Sequence, residues 1–427
     1  MPTPSRPAAA NIANAGFERV SVVGLGYVGL PTAAVMANRG LTVIGVDANP
    51  KAVERINRGE AHIVEPDLDI LVRSATTSGN LRAVAKPEPA NAFIVAVPTP
   101  FKANHEPDLA FVESAARSIA PVLAKGNLVV LESTSPVGTT ERLAGWLAEL
   151  RPDLGFPGHG ERMDVHIAYS PERVLPGRVL IELVDNDRVI GGLTPACSQR
   201  AKELYSLFVQ GTCFLTTACT AELVKLAENA YRDVNIAFAN ELSLVCEEVD
   251  VNVWEAIELA NRHPRVKILQ PGPGVGGHCI AVDPWFIVDS ARDVTPLIQA
   301  ARGVNDGKPD HVAKLVADAA RGKTKPTVAC LGLAYKADID DFRESPSVDV
   351  IAHLDAKLFS KILVVEPHSE RLPDSIAEIP AIALTDIDTA LNEADIVVLL
   401  TDHTQFRELD PARLVGKSVI DTRGIWR

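Results

Sequence analysis

One pattern is written twice in this chain. VSVVGLGYVG, VIGVDANP, AFIVAVPTP and LVVLESTSP follow one another near the N-terminus, and VACLGLAYK, LVVEPH, DIVVLLTDH and SVIDTRGIW repeat them in order and in kind after about residue 325. Each unit is a short β-rich run closed by turn residues, and amphipathic stretches separate the runs. That alternation implies parallel strands joined by helical crossovers. Its recurrence implies an α/β protein with two related Rossmann-like, doubly wound parallel-sheet domains, one at each end.

Between the two series, residues 217–260 contain neither Gly nor Pro and keep apolar residues near a 3.6 period. This predicts a long helix, broken near residues 250–252, that joins the domains and either pairs two copies as a homodimer or packs within the chain. At 427 residues the chain exceeds one ordinary core, and domains of about 150 residues give two to three. The expected division is a flexible leader over 1–16, a first Rossmann domain over 17–212, a central helical region over 213–318 and a second Rossmann-like domain over 319–427.

The formal net charge of -13 excludes nucleic acid and anionic membrane surfaces as favoured partners, because both reward clustered Lys and Arg. The longest apolar stretches, such as IVVLL at 396–400, fall far short of the roughly 20 residues that span a bilayer, so no membrane insertion is expected. The N-terminal stretch has neither the basic start nor the apolar run of a secretion signal. Six cysteines without metal-ligand spacing or a dense disulfide framework point to reduced thiols, no bound metal and a cytoplasmic protein.

The first repeat carries chemistry. VSVVG runs into Gly24, Gly26 and Gly29, with Tyr27 and Val28 between the last two, and Asp47 closes the next strand 18 residues after Gly29. The glycines permit a tight turn and close backbone approach to a pyrophosphate at a helix N-terminus, and the acid suits a ribose diol. A carboxylate there would repel a 2′-phosphate, so the cofactor is NAD rather than NADP. Thr99 and Thr134, at the ends of later strands, are further cofactor contacts or turn caps.

Residues 272–284, GPGVGGHCIAVDP, set one thiol among many glycines. Backbone in such a loop packs closely on a ligand and leaves Cys279 accessible as a nucleophile, whereas the other five cysteines read as small buried hydrophobes. Lys225, Asn229 and Arg232 are spaced i, i+4 and i+7 on the long helix, offering an ammonium, an amide and a guanidinium on one face. Alone this is also the pattern of a solvated stripe; in a closed site Lys225 can act as general base and Asn229 can fix a water or the reacting oxygen. Arg262, His263 and Arg265 in NRHPR, Arg173 in SPER, and Lys336 with Arg343 in YKADIDDFRESP could together meet a diphosphate, which needs several cations.

With these residues in place the chain resembles the UDP-sugar 6-dehydrogenase family, which includes the UDP-glucose and UDP-N-acetylmannosamine enzymes. The likeness runs from about residue 17 to the C-terminus through GLGYVGLP, VPTPF, ESTSPVGTT, YSPERVLPG, KLAENAYRDVNIAFANE, NRHPRVKILQPGPGVGGHCIAVDP and YKADIDDFRESP. It implies an NAD domain, a central dimerisation region and a UDP-sugar domain. It also implies that Cys279 is the nucleophile, that Lys225 transfers a proton, and that Asn229 and Asp283 orient water and stabilise an oxyanion. Glu172 falls near the hydrolytic water and Thr134 near the cofactor. Arg173, Val174, Lys225, Asn229, Arg232, His263, Arg265, Gly272 and Lys336 fall where the family contacts the nucleotide sugar, with Arg343 near the cofactor end.

The UDP-glucose branch carries Gly-Gly-Ser-Cys and a Lys before the Asp, where this chain has His278 and Val282. With NRHPR, that departure points to UDP-N-acetyl-D-mannosamine, oxidised twice at C6 through a thiohemiacetal and a thioester. Related N-acetylhexosamine dehydrogenases share parts of GGHC, so glucose and N-acetylglucosamine nucleotides stay open. So do a two-electron hydroxyacid-type dehydrogenase, in which the cysteine is idle, and a silent nucleotide-binding sensor.

Overall fold

In a strand buried on both faces, successive side chains enter opposite cores, so every position is apolar. The runs LVVL and IVVL meet that requirement, and so do the elements around them. The computed structural model describes residues 16–63, 65–102, 104–175, 177–277 and 279–426, so the leader expected over 1–16 lies, but for Gly16, outside the described residues. The chain forms two compact units, Met1–Ala227 and Glu228–Arg427.

The first unit holds eight strands: β1 (Arg19–Val23), β2 (Thr42–Val46), β3 (Leu81–Val84), β4 (Ala92–Val95), β5 (Leu128–Leu131), β6 (His166–Tyr169), β7 (Arg188–Gly192) and β8 (Cys213–Thr217). Their order is β3-β2-β1-β4-β5-β6-β7-β8, and only the β6–β7 pairing is antiparallel. Ile94 and Val130 enter one core with Val22, while Phe93, Val95, Val129 and Leu131 enter the other. The helix Gly29–Asn38 after β1 is buried from Gly29 to Ala37, as its sequence GLPTAAVMAN allows.

In the second unit β9 (Thr327–Leu331), β10 (Lys361–Val365), β11 (Ile382–Leu384), β12 (Ile396–Leu399) and β13 (Ser418–Asp421) pair in the order β11-β10-β9-β12-β13, parallel throughout. This is the order of the first five strands of the other sheet. The repeat seen in the sequence is therefore a repeat of topology. The strands β3, β6, β7, β8 and β11 carry no comparable signal: β11 is the three-residue IAL, and β8 is half exposed at a sheet edge.

The helix predicted over 217–260 is two helices, Ala218–Glu248 and Val253–Ala260. The break falls where Asp250 adopts φ 55° and the Asn252 side chain accepts the N–H groups of Trp254 and Glu255 to cap the second helix. Among the described residues no helix is long and apolar enough to cross a membrane.

Where the first sheet reverses direction it buries charge. Arg188 Nη2 donates to Glu172 Oε2 at 2.5 Å, and its Nη1 lies 3.6 Å from Glu132 Oε1, which also accepts the Tyr205 hydroxyl at 2.7 Å. Burial pushes the Glu132 carboxyl up from its ordinary 4.5. The folded protein therefore holds that proton more tightly than the unfolded chain, and stability is lost as pH climbs from about 4.5 through the folded value. Glu132→Gln keeps an acceptor for Tyr205 and buries no charge. It is expected to match the wild-type thermal midpoint near pH 5 and to exceed it near pH 8, read by calorimetry; a lower midpoint at pH 8 would show that pairing with Arg188 outweighs burial.

Candidate active site

The chain enters the first crevice at Gly24, with φ 92° and its N–H donating to Val46 O at 2.8 Å. A Cβ on Gly24 would come within 2.4 Å of Ala96 O, and one on Gly29 within 1.8 Å of Gly24 O, so both glycines are required by the fold. Gly26 differs: nothing lies within 4 Å of its would-be Cβ. The helix starting at Gly29 has no side-chain cap; Val28 is its N-cap residue, and Tyr27 beside it is 47% exposed. Backbone N–H groups at such an end suit an anion. Asp47, at the tip of β2, turns its carboxylate toward this turn, Oδ2 accepting Leu25 N at 3.0 Å and Oδ1 accepting Asn49 N at 2.8 Å. A backbone cradle open at Gly26, an uncapped helix and a carboxylate on the second strand fit a dinucleotide of the NAD type.

Thr99 and Thr134 meet at the ends of β4 and β5, where Thr99 Oγ1 donates to Thr134 O at 2.5 Å. The Thr99 hydroxyl thus fastens two loops, and the half-buried Thr134 side chain is the better placed for a ligand. Glu172 is buried; besides Arg188 it accepts Arg173 N, at 2.7 Å on Oε1. Arg173 is half-buried and donates to Asp187 O, and the half-buried Val174 packs on the first core.

On the long helix Lys225 and Asn229 are buried, whereas Arg232 is exposed. The spacing keeps the three on one face, within about 60°; the burial of Lys225 and Asn229 departs from a solvated stripe, and only at Arg232 does that face reach solvent. The inward face continues one residue further on, at Asp233 and then Asn240.

In the second unit the glycine-rich loop lies flush on residues 335–346. A Cβ on Gly274 would come 2.7 Å from Pro346 Cβ, on Gly276 2.4 Å from Glu344 O and on Gly277 2.8 Å from Tyr335 Cε2. Cys279 is exposed at the end of this loop, and its carbonyl accepts the N–H groups of Val282 and Asp283 at 3.2 and 2.8 Å, where the helix Asp283–Ser290 begins. Asn229 Nδ2 donates to Asp283 Oδ2 at 2.5 Å. The structure thereby joins Asn229, Asp283 and the cysteine loop. It also brings Lys336, half-buried, and Arg343, forked on Asp341, onto the segment that carries that loop. His263 and Arg265 are exposed, and His278 lies outside the described residues.

A Cβ on Gly272 would meet Arg423 Nη1 at 2.7 Å. Arg423 donates Nε to Leu400 O and lies 3.6 Å from Asp402, so a further guanidinium stands beside the loop. It follows β13 as the turn residues Ser133 and Thr134 follow β5, and that equivalence in SVIDTRGIW was its signal in the sequence. Of the cysteines expected to be buried, Cys197, Cys246 and Cys330 are, but Cys213 and Cys219 are only half-buried, on an edge strand and at a helix start. Burial pushes the Cys330 thiol up to about 12. Among the described residues one group, Asp338, His368 and His403, brings possible metal-ligating atoms within 4.8 Å of one another. Asp338 there accepts the N–H and hydroxyl of Thr404, and His403 Nδ1 accepts Asp338 N, so these atoms already latch two loops.

Three segments match the UDP-glucose/GDP-mannose dehydrogenase family: its NAD binding domain over residues 18–209, its central domain over 219–307 and its UDP binding domain over 329–427. The chain is 60% identical over 411 residues to an NDP-N-acetyl-D-galactosaminuronic acid dehydrogenase of Ralstonia nicotianae, covering 96% of each chain. It is 59% identical to a UDP-N-acetyl-D-mannosamine dehydrogenase of Yersinia pestis, covering 96% of this chain and all of that one. Among solved structures, UDP-D-ManNAc dehydrogenase from Pyrococcus horikoshii aligns with a TM-score of 0.86 at 38% identity over 96% of both chains.

The two kinds of glycine separate in experiment. Gly26→Ala is expected to leave the thermal midpoint unchanged while weakening NAD binding about tenfold or more in calorimetric titration, because its methyl occupies ligand space. Gly29→Ala is expected to lower both.

Proposed function

Because the chain belongs to the UDP-glucose/GDP-mannose dehydrogenase family and binds NAD in its first unit, we propose that it oxidises the C6 alcohol of UDP-N-acetyl-D-mannosamine to the uronate. The observation that carries the chemistry is the placing of Cys279: exposed, at the end of a loop whose glycines leave no freedom to drift, with its carbonyl fixed by the next helix. NAD, when bound, supplies the hydride acceptor, and two equivalents account for four electrons.

Lys225 accepts the hydroxyl proton as the first hydride leaves. The Cys279 thiolate adds to the aldehyde and retains it as a thiohemiacetal; loss of the second hydride leaves a thioester, which water opens to the carboxylate and the free thiol. In this reading Asp283 and Glu172 are the acceptors that orient this water; within its own unit Asp283 is held by Asn229, and within the other Glu172 is held by Arg188 and the Arg173 N–H. Covalent retention explains how an aldehyde survives between two oxidations. Arg173, Val174, Arg232, His263, Arg265, Gly272 and Lys336 serve the nucleotide sugar and Arg343 the cofactor end; the arginines and Lys336 among them are local cations in a chain of net charge -13. The functional division is 17–212 for NAD, 213–318 for the cysteine loop and dimerisation, and 319–427 for the UDP-sugar.

The 60% identical relative named for N-acetyl-D-galactosaminuronic acid favours a second substrate reading, a C2 and C4 variant of the same N-acetylhexosamine. NADH release from UDP-N-acetyl-D-mannosamine, UDP-N-acetyl-D-galactosamine, UDP-N-acetylglucosamine and UDP-glucose separates them. Two NADH per sugar are expected, with the mannosamine nucleotide fastest; one NADH would refute the double oxidation. Cys279→Ser is expected to abolish uronate formation, and Lys225→Ala to slow the first oxidation by about a hundredfold or more.

The protein works in the cytoplasm as a homodimer paired along the long helix. There Tyr231, Phe238 and Val245 stand at seven-residue steps, 67%, 55% and 51% exposed, an apolar stripe of coiled-coil period that a second copy would cover. Phe238→Glu is expected to shift the species seen by analytical ultracentrifugation from dimer to monomer; an unshifted dimer would place the interface elsewhere.

A further inference from the structure

Buried polar side chains outside the residues assigned above lead to the cysteine loop. Asp233 and Asn240, both fully buried, lie seven residues apart on the long helix, and Asn305, 1% exposed, faces them from the helix Pro296–Ala319. Asp233 Oδ1 receives Arg302 Nη1 at 2.7 Å and Asn305 Nδ2 at 2.8 Å. With its nitrogen so engaged, Asn305 presents Oδ1, which accepts Asn240 Nδ2 at 2.8 Å. Asn240 is left with its own oxygen, and that oxygen accepts the backbone N–H of Gly272 at 2.9 Å.

The chain of bonds has one polarity. Two donors converge on Asp233 Oδ1, which makes it an acceptor, and each amide downstream is oriented by the one before. Reversing Asn240 would oppose two donors at Gly272 and two acceptors at Asn305, leaving buried polar groups unmet. Gly272 opens the loop that ends in Cys279, and Asp283, just beyond it, is tied to Asn229. Asn229 and Asn240 are 11 residues apart on the same helix face, three turns or about 16 Å of rise. The loop is thus pinned at both ends by amides of one rigid element.

We propose that Asn240 is a positioning residue for Cys279: through the Gly272 N–H it fixes the start of the cysteine loop, and Asp233, acting through Asn305, fixes which way Asn240 faces. The catalytic consequence rests on Cys279 being the nucleophile; the placing of the loop does not.

Two variants of the full chain test this. Asn240→Leu keeps the branched four-atom skeleton and removes both bonds. It is expected to lower kcat about a hundredfold, as a displaced reacting group does, with KM for NAD unchanged and with an altered rate of Cys279 alkylation by iodoacetamide, followed by mass spectrometry. Asn240→Asp offers Gly272 an acceptor and, while protonated, offers Asn305 an O–H. Its activity relative to wild type is expected to be highest at low pH and to fall as that carboxyl ionises. The wild type, with the same Asp233, Arg302 and Lys308 facing this region, is the reference curve. A folded Asn240→Leu with wild-type kcat and alkylation rate overturns the proposal, as does an Asn240→Asp profile parallel to wild type. Should the Leu variant fail to fold, the Asp profile decides alone. Turnover retained by Cys279→Ser would refute the nucleophile, while alkylation in the Asn240 variants would still report the loop.

Discussion

A loop rich in glycine has the largest conformational entropy to lose, and a thiol carried on it is useful only if the loop is held. Here the holding is done by the Asn229–Asp283 and Asn240–Gly272 bonds from one helix, and by steric contact of Gly274, Gly276 and Gly277 with residues 335–346. The glycines therefore serve less for flexibility than for proximity, since any Cβ at these places would strike a neighbour. Lys336 and Arg343 ride on the segment that presses on the loop, so anchoring the thiol and presenting cations are done by the same contact.

The two sheets solve one problem with one device and then diverge. At the end of β2 Asp47 accepts the N–H of Leu25 in the first glycine turn; at the end of β10 Glu366 accepts those of Leu333 and Ala334 in the second. Gly24 and Gly332 match as well, with φ of 92° and 95° and their N–H groups on Val46 and Val365 at 2.8 Å each. Where the first repeat has Gly26 and an uncapped helix beginning at Gly29, the second has Ala334 and then a loop, its helix starting only at Pro346. The strand-end latch is common to both repeats, whereas the open glycine and a helix that starts directly at the turn occur only in the first.

The buried cluster of Glu132, Arg188 and Glu172 is not a source of stability, since desolvating the Arg188–Glu172 pair costs several kcal/mol per ion before pairing returns it and burial drives Glu132 toward its protonated form. Its effect is orientation. Arg188 begins β7, the strand that runs against β6, and its guanidinium fixes Glu172 beyond the end of β6.

Periodicity and turn chemistry in the sequence determined both Rossmann-like repeats, the long helix with its break at 250–252, the glycine cradle with Asp47 and the exposure of Cys279, because each depends on residues close in the chain. Only the tertiary structure decided that Arg232 faces outward and Asp233 inward, since one residue turns a helix by about 100° and packing selects the face. It likewise decided what Arg188, Asn240 and Asn305 bond to. Their partners lie far away in sequence, and no local pattern distinguishes an Asn that satisfies a distant backbone N–H from one that meets water.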